Sequence, residues 1–233
     1  MTVVERLVNL RDLGGLPVVG GGVTRAGILY RSDAPYPDDE RPDHVPVWPP
    51  AAVLDLRSQA ERDVIGHEWT DETVLHHRPL HDAAAPTVER APHLAGLYAN
   101  ILDAVPDRIA GVLAVAAHVD GPLLIHCAAG KDRTGIAVAA LLLAADVDPG
   151  AVVADYLATA DNMSELRMRW QRNGKVALPG RPAIPEAWLL APEDAIRHVV
   201  DRFAAWPAGA SGWLVDHGAS PSDLEAWRTR FVG

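Results

Sequence analysis

One stretch near the middle of the chain constrains the fold more than any other. Residues 123–135 read LLIHCAAGKDRTG. The apolar run before the cysteine predicts a buried strand. The residues after the cysteine predict a tight loop, and the residues from Thr134 onward predict the first turn of a long apolar helix. The loop holds Cys127, the only cysteine of the protein, and Arg133 follows six positions later.

This strand–loop–helix arrangement predicts a site for an anion. A loop between a strand end and a helix N-terminus directs several backbone N–H groups to one point, where the helix dipole adds positive potential. Such a field also favours the thiolate form of a cysteine placed within it, which makes a nucleophile available. The planar fork of Arg133 matches two phosphate oxygens. Gly130 lets the backbone turn and approach a ligand closely, and Thr134 is placed to bring a hydroxyl beside the sulfur.

The motif formed by His126, Cys127, five further residues, Arg133 and Thr134 resembles the signature of the cysteine-dependent protein tyrosine phosphatase superfamily. Its Gly-Lys-Asp-Arg-Thr-Gly form resembles the atypical bacterial tyrosine/lipid phosphatase branch. The resemblance implies that Cys127 is the nucleophile and Arg133 a phosphate ligand. It also implies a phosphate-binding loop made of Ala128, Ala129, Gly130, Lys131, Asp132, Arg133 and Thr134. The alternative for Cys127 is an inert core residue, which the polar residues 131–133 argue against.

The implied reaction needs a carboxylic acid to protonate the leaving group and then to activate water. Asp82 ranks first, because it ends a predicted strand and starts a loop upstream of the cysteine, where the family carries its acid. Asp132 ranks second, since its charge is expected to pair with Lys131 or with the backbone, or to orient water in the second step. Asp55 ranks third. The reaction requires no metal and no cofactor.

The substrate class stays open at this point. In this superfamily, a lysine at the position of Lys131 is associated with phosphoinositide as well as phosphotyrosine substrates, whereas the alternative is a solvated lysine that raises anion affinity. The resemblance therefore implies a protein-tyrosine phosphatase, with dual specificity or phosphoinositide activity as an extension. Its partners would be a phosphorylated protein or phospholipid. The rivals are a phospho-ligand-binding module without catalysis and a rhodanese-like sulfurtransferase.

A zinc hydrolase is a further alternative, suggested by His76, His77, His81 and Asp82. Adjacent strand residues point to opposite faces of a sheet, so His76 and His77 are poorly placed to share a metal. The sequence also lacks the spacing of known zinc-hydrolase motifs. We therefore expect a surface cluster and no metal site.

Composition and charge narrow the function classes further. The 233 residues carry a formal net charge of −10, which argues against nucleic-acid binding and against an anionic membrane surface. A single cysteine excludes an intramolecular disulfide framework and suits a reducing compartment. The N-terminus lacks the pattern of a signal peptide, and the longest apolar run, residues 135–145, is too short to span a bilayer. We expect a cytoplasmic enzyme with no stable membrane insertion.

The remaining periodicities predict an α/β fold. Strands are expected at 27–32, 51–58 and 73–82, with Pro79 favouring a sheet edge. Helices are expected from Leu94, at 107–119, at 134–145, after Pro149, as a short helix from Ser164 to Arg169, and through most of the C-terminal third. Strand–helix–strand order implies parallel pairing. We therefore predict one phosphatase-like domain over residues 1–233, with a mostly parallel central sheet flanked by helices and a helical C-terminal part.

Two groups of charged residues have alternative explanations. Arg11, Asp12 and Arg31 lie in segments that resemble the bacterial phosphatase branch, and they would brace the active-site loop from behind or form ordinary ion pairs. Asp55 and Arg57 share one face of a predicted strand. They would reach the loop of the neighbouring strand or form a buried pair that holds the sheet.

Overall fold

The centre of the molecule is a five-stranded sheet, seen in a computed structural model that describes residues 5–80, 93–173 and 190–232. The strands are β1 (Arg11–Asp12), β2 (Leu29–Ser32), β3 (Ala52–Asp55), β4 (Val74–His77) and β5 (Leu123–His126). Their order across the sheet is β1-β2-β5-β3-β4. Among these strands of the described residues, only β1 and β2 pair in antiparallel fashion. The predicted α/β fold with a mostly parallel sheet is confirmed.

The strand before the cysteine occupies the middle of this sheet. β5 pairs in parallel with β2 on one side and with β3 on the other, so that Leu123 lies level with Leu29 and with Ala52. The carboxyl ends of three parallel strands therefore meet around the residue that follows His126. In open α/β sheets, this edge is where ligands bind.

Helices supply most of the remaining structure. Within the described ranges they are α1 (Gln59–Val64), α2 (Leu94–Ala104), α3 (Pro106–His118), α4 (Asp132–Ala144), α5 (Pro149–Leu157), α6 (Thr159–Arg172), α7 (Glu193–Ala204), α8 (Gly209–Asp216) and α9 (Pro221–Phe231). In the part of the chain that the structure covers, none of these helices has the length and apolar character that crossing a membrane requires.

The two faces of the sheet are covered differently. Leu54 and Ile125 point into the large helical core, whereas their neighbours Val53 and Leu124 point to a smaller cluster on the opposite face. That second cluster packs against Trp48 and Trp69. Trp48 belongs to the proline-rich segment at 35–50, so irregular chain contributes to the cover of this face.

Helix α4 is apolar around most of its circumference, and its position explains why. Almost every residue from Thr134 to Ala144 is buried, as expected for a helix enclosed by others. Helices α3, α5, α7 and α8 all pack against it. The helix that follows the cysteine loop is therefore held inside the core of the molecule.

Two elements differ from the sequence-based expectation. Helix α1 was not predicted, although Ser58 and Glu61 form a capping box at its start, in which each side chain accepts a hydrogen bond from the other residue's backbone N–H. The short helix expected from Ser164 to Arg169 is a longer one, α6, which starts directly after α5. Helix α1 arises where local capping decides the structure, whereas α6 has no side-chain cap and buries a face that includes Met163 and Leu166.

Trp227 provides a test of how the C-terminal part contributes to stability. Its side chain is fully buried, stacks on Phe231 with a centroid distance of 4.5 Å, and donates its indole N–H to the Leu141 carbonyl of α4 at 2.9 Å. We expect Trp227→Ala to lower the free energy of unfolding by about 3–5 kcal/mol, because it leaves a cavity against α4. Urea unfolding measures this difference.

Met168→Ala is the control, since that side chain is 48% exposed. We expect it to change the free energy of unfolding by no more than about 0.5 kcal/mol. Equal effects of the two substitutions would contradict a stabilising role of α9 against α4.

Candidate active site

The loop between β5 and α4 lies at the carboxyl edge of the sheet, directly beyond the central strand. Cys127 is the first residue after β5 and is 2% exposed, in contact with the large core. Helix α4 begins at Asp132, so its N-terminus faces the loop. Thr134 is also buried, and its hydroxyl has no hydrogen-bond partner among the described residues. The predicted contact of that hydroxyl with the sulfur stays a prediction.

Gly130 allows this loop to pack against the end of β2. Its φ of +69° lies in the left-handed region, and a Cβ at this position would come within 2.2 Å of the Ser32 carbonyl oxygen. A larger residue would therefore both strain the backbone and collide with β2. The sequence suggested a close approach to a ligand, whereas the close approach in the structure is to the protein's own backbone.

Arg31 holds the loop from behind, as one of the two sequence-based interpretations proposed. Its Nη2 donates to the Gly130 carbonyl at 2.6 Å, and its Nη1 donates to Asp155 Oδ2 at 2.5 Å. Arg31 is 1% exposed. Burial alone would raise the pKa of Asp155, but the charges of Arg31 and Arg11 lower it below its usual value. The carboxylate therefore stays charged and forms an ion pair with each of the two guanidinium groups.

Arg11 acts one step further from the loop. It donates to Asp155 Oδ1 at 2.7 Å and to the Asn9 side-chain oxygen at 2.6 Å, while the Asn9 amide donates to the Ala129 carbonyl at 3.0 Å. Burial and the nearby charge of Arg31 lower the pKa of Arg11 to about 10. The bracing role of Arg11 is thus indirect.

Asp12 does not take part in this bracing, so of its two interpretations the bracing role is wrong. Its carboxylate accepts backbone N–H groups of Gly14 at 3.0 Å and Gly27 at 2.7 Å. It therefore stabilises the turns between β1 and β2, because unpaired backbone donors there would be costly.

Arg133 is oriented by a residue that sequence reasoning missed. Its two terminal nitrogens donate to the two carboxylate oxygens of Glu61, both at 2.7 Å. Burial alone would lower the pKa of Arg133, but this paired contact raises it overall. Because Nη1 and Nη2 of Arg133 both donate to Glu61, the edge of the guanidinium that carries the Nε–H group is the one available to bind an oxyanion. The capping-box spacing of Ser58 and Glu61 was the signal that could have drawn attention to α1.

Lys131 and Asp132 form a pair inside the loop. Lys131 is 1% exposed, and its Nζ donates to Asp132 Oδ1 at 2.5 Å. The expected pairing of the two residues is confirmed, whereas the alternative of a solvated lysine is wrong. The same Asp132 oxygen also accepts the hydroxyl of Tyr98 at 2.7 Å, a contact that the sequence did not indicate.

Asp55, the third candidate acid, is committed elsewhere. Arg57 donates to its two oxygens at 3.0 and 2.8 Å, and both residues are buried. Burial alone would raise the pKa of Asp55, but His126 and Arg57 lower it to about 2. Of the two interpretations of this pair, the buried ion pair is confirmed. A carboxyl with so low a pKa is a poor proton donor at neutral pH.

His126 is the last residue of β5, directly before the cysteine. It is fully buried, its Nδ1 is 3.3 Å from the Cys127 carbonyl oxygen, and its Nε2 is 3.9 Å from Asp55 Oδ2. Burial lowers the pKa of His126 to about 4. The imidazole is therefore neutral near pH 7, and it adds no positive charge to the loop.

The remaining sequence-based candidates fall in different places. Asp82, ranked first as the acid, and His81 lie outside the described residues. His77 hydrogen-bonds to the Arg57 carbonyl oxygen at 2.8 Å. Within the ranges that the structure covers, no group of three His, Cys, Asp or Glu side chains is arranged to hold a metal ion.

Comparison with known proteins adds an independent finding. Residues 2–233 match the model of a family described as the tyrosine phosphatase family. A candidate tyrosine-protein phosphatase of Cupriavidus necator is 34% identical over 170 residues, covering 66% of this chain and 60% of that protein. The triple specificity protein phosphatase PtpB of Mycobacterium tuberculosis is 52% identical over 48 residues, 21% of this chain and 17% of that protein.

The contact between Glu61 and Arg133 predicts an effect on anion binding and on stability. We expect Glu61→Gln to weaken binding of inorganic phosphate, measured by calorimetry, because the guanidinium loses its fixed orientation. We also expect the free energy of unfolding at pH 7 to fall by about 2 kcal/mol, since a charge-assisted pair is lost. Glu193→Gln, which breaks a surface pair with Arg197, is the control and should change little.

The same contact predicts a dependence of stability on pH. Arg133 is the main group that lowers the pKa of Glu61 from 4.5 to about 2, against the opposing effect of burial. Because the pKa is lower in the folded state, the stability from this group is complete above about pH 4.5 and lost as the pH falls towards 2. The free energies of unfolding of wild type and Glu61→Gln, measured with urea, should therefore converge as the pH falls over that interval. A difference that stays constant with pH would contradict a lowered pKa of Glu61 in the folded state.

Proposed function

We propose, on the premise that this chain belongs to the tyrosine phosphatase family, that it hydrolyses phosphate monoesters through a cysteinyl-phosphate intermediate. The chain spans about 60% of the length of the Cupriavidus necator relative, so the activity is proposed for residues 1–233. One observation carries the proposal: Cys127 lies at the N-terminal end of a buried helix, in a loop whose arginine is oriented by Glu61.

In the first step, the Cys127 thiolate attacks phosphorus in line with the leaving oxygen. A sulfur–phosphorus bond forms while the ester phosphorus–oxygen bond breaks, and the departing oxygen takes a proton from an aspartic acid. The backbone N–H groups of residues 128–134 and the Nε edge of Arg133 would bind the equatorial oxygens. Such preorganised donors usually provide the largest part of transition-state stabilisation.

In the second step, water replaces the sulfur. The aspartate, now ionised, accepts a proton from the water as the oxygen attacks phosphorus. The sulfur–phosphorus bond then breaks, which releases inorganic phosphate and restores the Cys127 thiolate. One carboxyl group therefore donates a proton to the leaving oxygen in the first step and regains a proton from water in the second.

Two aspartates are proposed for this carboxyl group. Asp82 is supported by its sequence position alone. Asp132 is supported by its place within the loop, where its side chain is 28% exposed and its Oδ1 is held by Lys131 and Tyr98. Asp55 is set aside, because its pKa of about 2 keeps it ionised.

The proposed substrate is phosphotyrosine in a protein. A phenoxide is a better leaving group than an alkoxide, so a loop with one acid suits it well. Activity on phosphoserine, phosphothreonine or phosphoinositides is a finer proposal, supported by Lys131 in the loop and by the name of the Mycobacterium tuberculosis relative. Because Lys131 is buried against Asp132, we expect it to act on the charge of the loop more than on a lipid headgroup.

The test is hydrolysis of p-nitrophenyl phosphate by the purified protein. We expect release of p-nitrophenol that persists with a chelator, is inhibited by vanadate, and is lost by at least a thousandfold in Cys127→Ser, because serine is a far weaker nucleophile at neutral pH. Phosphate binding without turnover would support the non-catalytic module instead. Turnover of thiosulfate would support the sulfurtransferase.

Replacing each aspartate by asparagine separates the two candidate acids. We expect the variant that lacks the true acid to lose about 100-fold or more in kcat with phenyl phosphate, a poor leaving group, and less with p-nitrophenyl phosphate. The other variant should lose much less. If Asp82→Asn and Asp132→Asn both retain wild-type turnover on the two substrates, neither residue is the acid.

A further inference from the structure

Tyr98 and Tyr156 form a buried hydrogen-bonded pair that ends at the phosphate loop. The Tyr98 hydroxyl is 2.7 Å from Asp132 Oδ1 and 2.7 Å from the Tyr156 hydroxyl. Both tyrosines are 0% exposed. Two tyrosine hydroxyls in contact inside a core are costly unless both are satisfied, so their arrangement requires an explanation.

The direction of the two hydrogen bonds follows from the number of protons. Burial, followed by the negative charge of Asp132, raises the pKa of Tyr98 well above its usual value, so its hydroxyl is protonated. A carboxylate oxygen accepts, and therefore the single Tyr98 proton is donated to Asp132 Oδ1. Tyr156 must then donate to the Tyr98 oxygen. Donation along such a chain strengthens each hydrogen bond.

The packing of the two rings fixes the geometry of these hydrogen bonds. Tyr98 lies on α2 and Tyr156 on α5, with ring centroids 6.2 Å apart and an interplanar angle of 85°. A Cβ added to Gly135, in the first turn of α4, would lie 3.0 Å from the Tyr156 ring. Three helices therefore meet at this pair, and the glycine after Thr134 makes the close approach possible.

The hydrogen bonds of the tyrosine pair reach only one oxygen of Asp132. Oδ1 accepts from Tyr98 and also from Lys131 Nζ at 2.5 Å, whereas no described residue donates to Oδ2. With Oδ1 occupied by two donors, a proton on this carboxyl group belongs on Oδ2. The two oxygens are therefore made unequal by the protein.

We propose that Tyr98 is a positioning residue for the reaction: it fixes the Asp132 carboxyl group so that Oδ2 is the oxygen that exchanges protons with the substrate or with water. This inference rests on the proposed function and deepens it. Tyr98 itself does not touch the reacting atoms. Tyr156 supports Tyr98 by satisfying its oxygen, and both tyrosines act through Asp132.

The experiment is a double-mutant cycle on the full chain. Tyr98→Phe removes one hydroxyl and keeps the ring. We expect its kcat for phenyl phosphate to fall about tenfold, in line with the loss of one hydrogen bond to a charged group. KM and inhibition by vanadate should be unchanged, because the loop and Arg133 are intact. The loss should be smaller with p-nitrophenyl phosphate, whose leaving group needs less protonation.

The decisive comparison is made in the Asp132→Asn background. If Tyr98 acts through Asp132, adding Tyr98→Phe to that variant should reduce kcat no further. An equal loss in both backgrounds, a change in KM instead of kcat, or no loss at all would each overturn the proposal. Wild-type turnover in Asp132→Asn, with Cys127→Ser inactive, would also overturn it and would leave the proposed phosphatase activity standing.

Two further variants test whether the loss of activity has a purely structural cause. Tyr156→Phe leaves Tyr98 in place and should lower kcat about threefold with KM unchanged, so it tests the same chain if Tyr98→Phe folds poorly. Tyr30→Phe is the matched control, because Tyr30 is equally buried but its hydroxyl accepts the Val47 N–H at 3.3 Å. Its kcat should remain within twofold of wild type, and a loss as large as that of Tyr98→Phe would contradict the proposal.

Discussion

The shape of the loop after β5 depends on the contact between Arg31 and the Gly130 carbonyl. A buried guanidinium is tolerated only when its charge is compensated, and Asp155 provides that compensation from α5. With this contact in place, Gly130 lies against the end of β2 in a conformation that suits glycine. The cysteine and the arginine then lie on either side of the N-terminus of α4 along the chain.

Helix α5 supports both halves of this loop with neighbouring residues. Asp155 reaches the first half through Arg31, and Tyr156 reaches the second half through Tyr98 and Asp132. Consecutive helix residues point about 100° apart, so one helix acts on two sides of the loop through Arg31 and Tyr98. A displacement of α5 would therefore alter the loop backbone and the Asp132 carboxyl group together.

The sequence was sufficient for the parts of the molecule that depend on local pattern. The parallel sheet, the buried strand before Cys127 and the apolar helix after it follow from periodicities of a few residues. The supporting contacts were harder to infer because they join distant positions: Glu61 and Arg133 are 72 residues apart, and Arg31 and Asp155 are 124 apart. A charged residue shows in sequence that it needs a partner, but only the packed structure shows which one it has. Asp82 remains a sequence-based candidate.

Helix α1 has a property that follows from its lack of a buried face. None of its 6 residues is buried, and so short a helix has little stability of its own. Glu61 both closes its capping box and orients Arg133. For the proposed phosphate-binding loop, the helix–coil equilibrium of this segment and the affinity for an oxyanion are therefore thermodynamically linked: an anion that orders the guanidinium would also favour the helical state, and unwinding of the helix would lower that affinity.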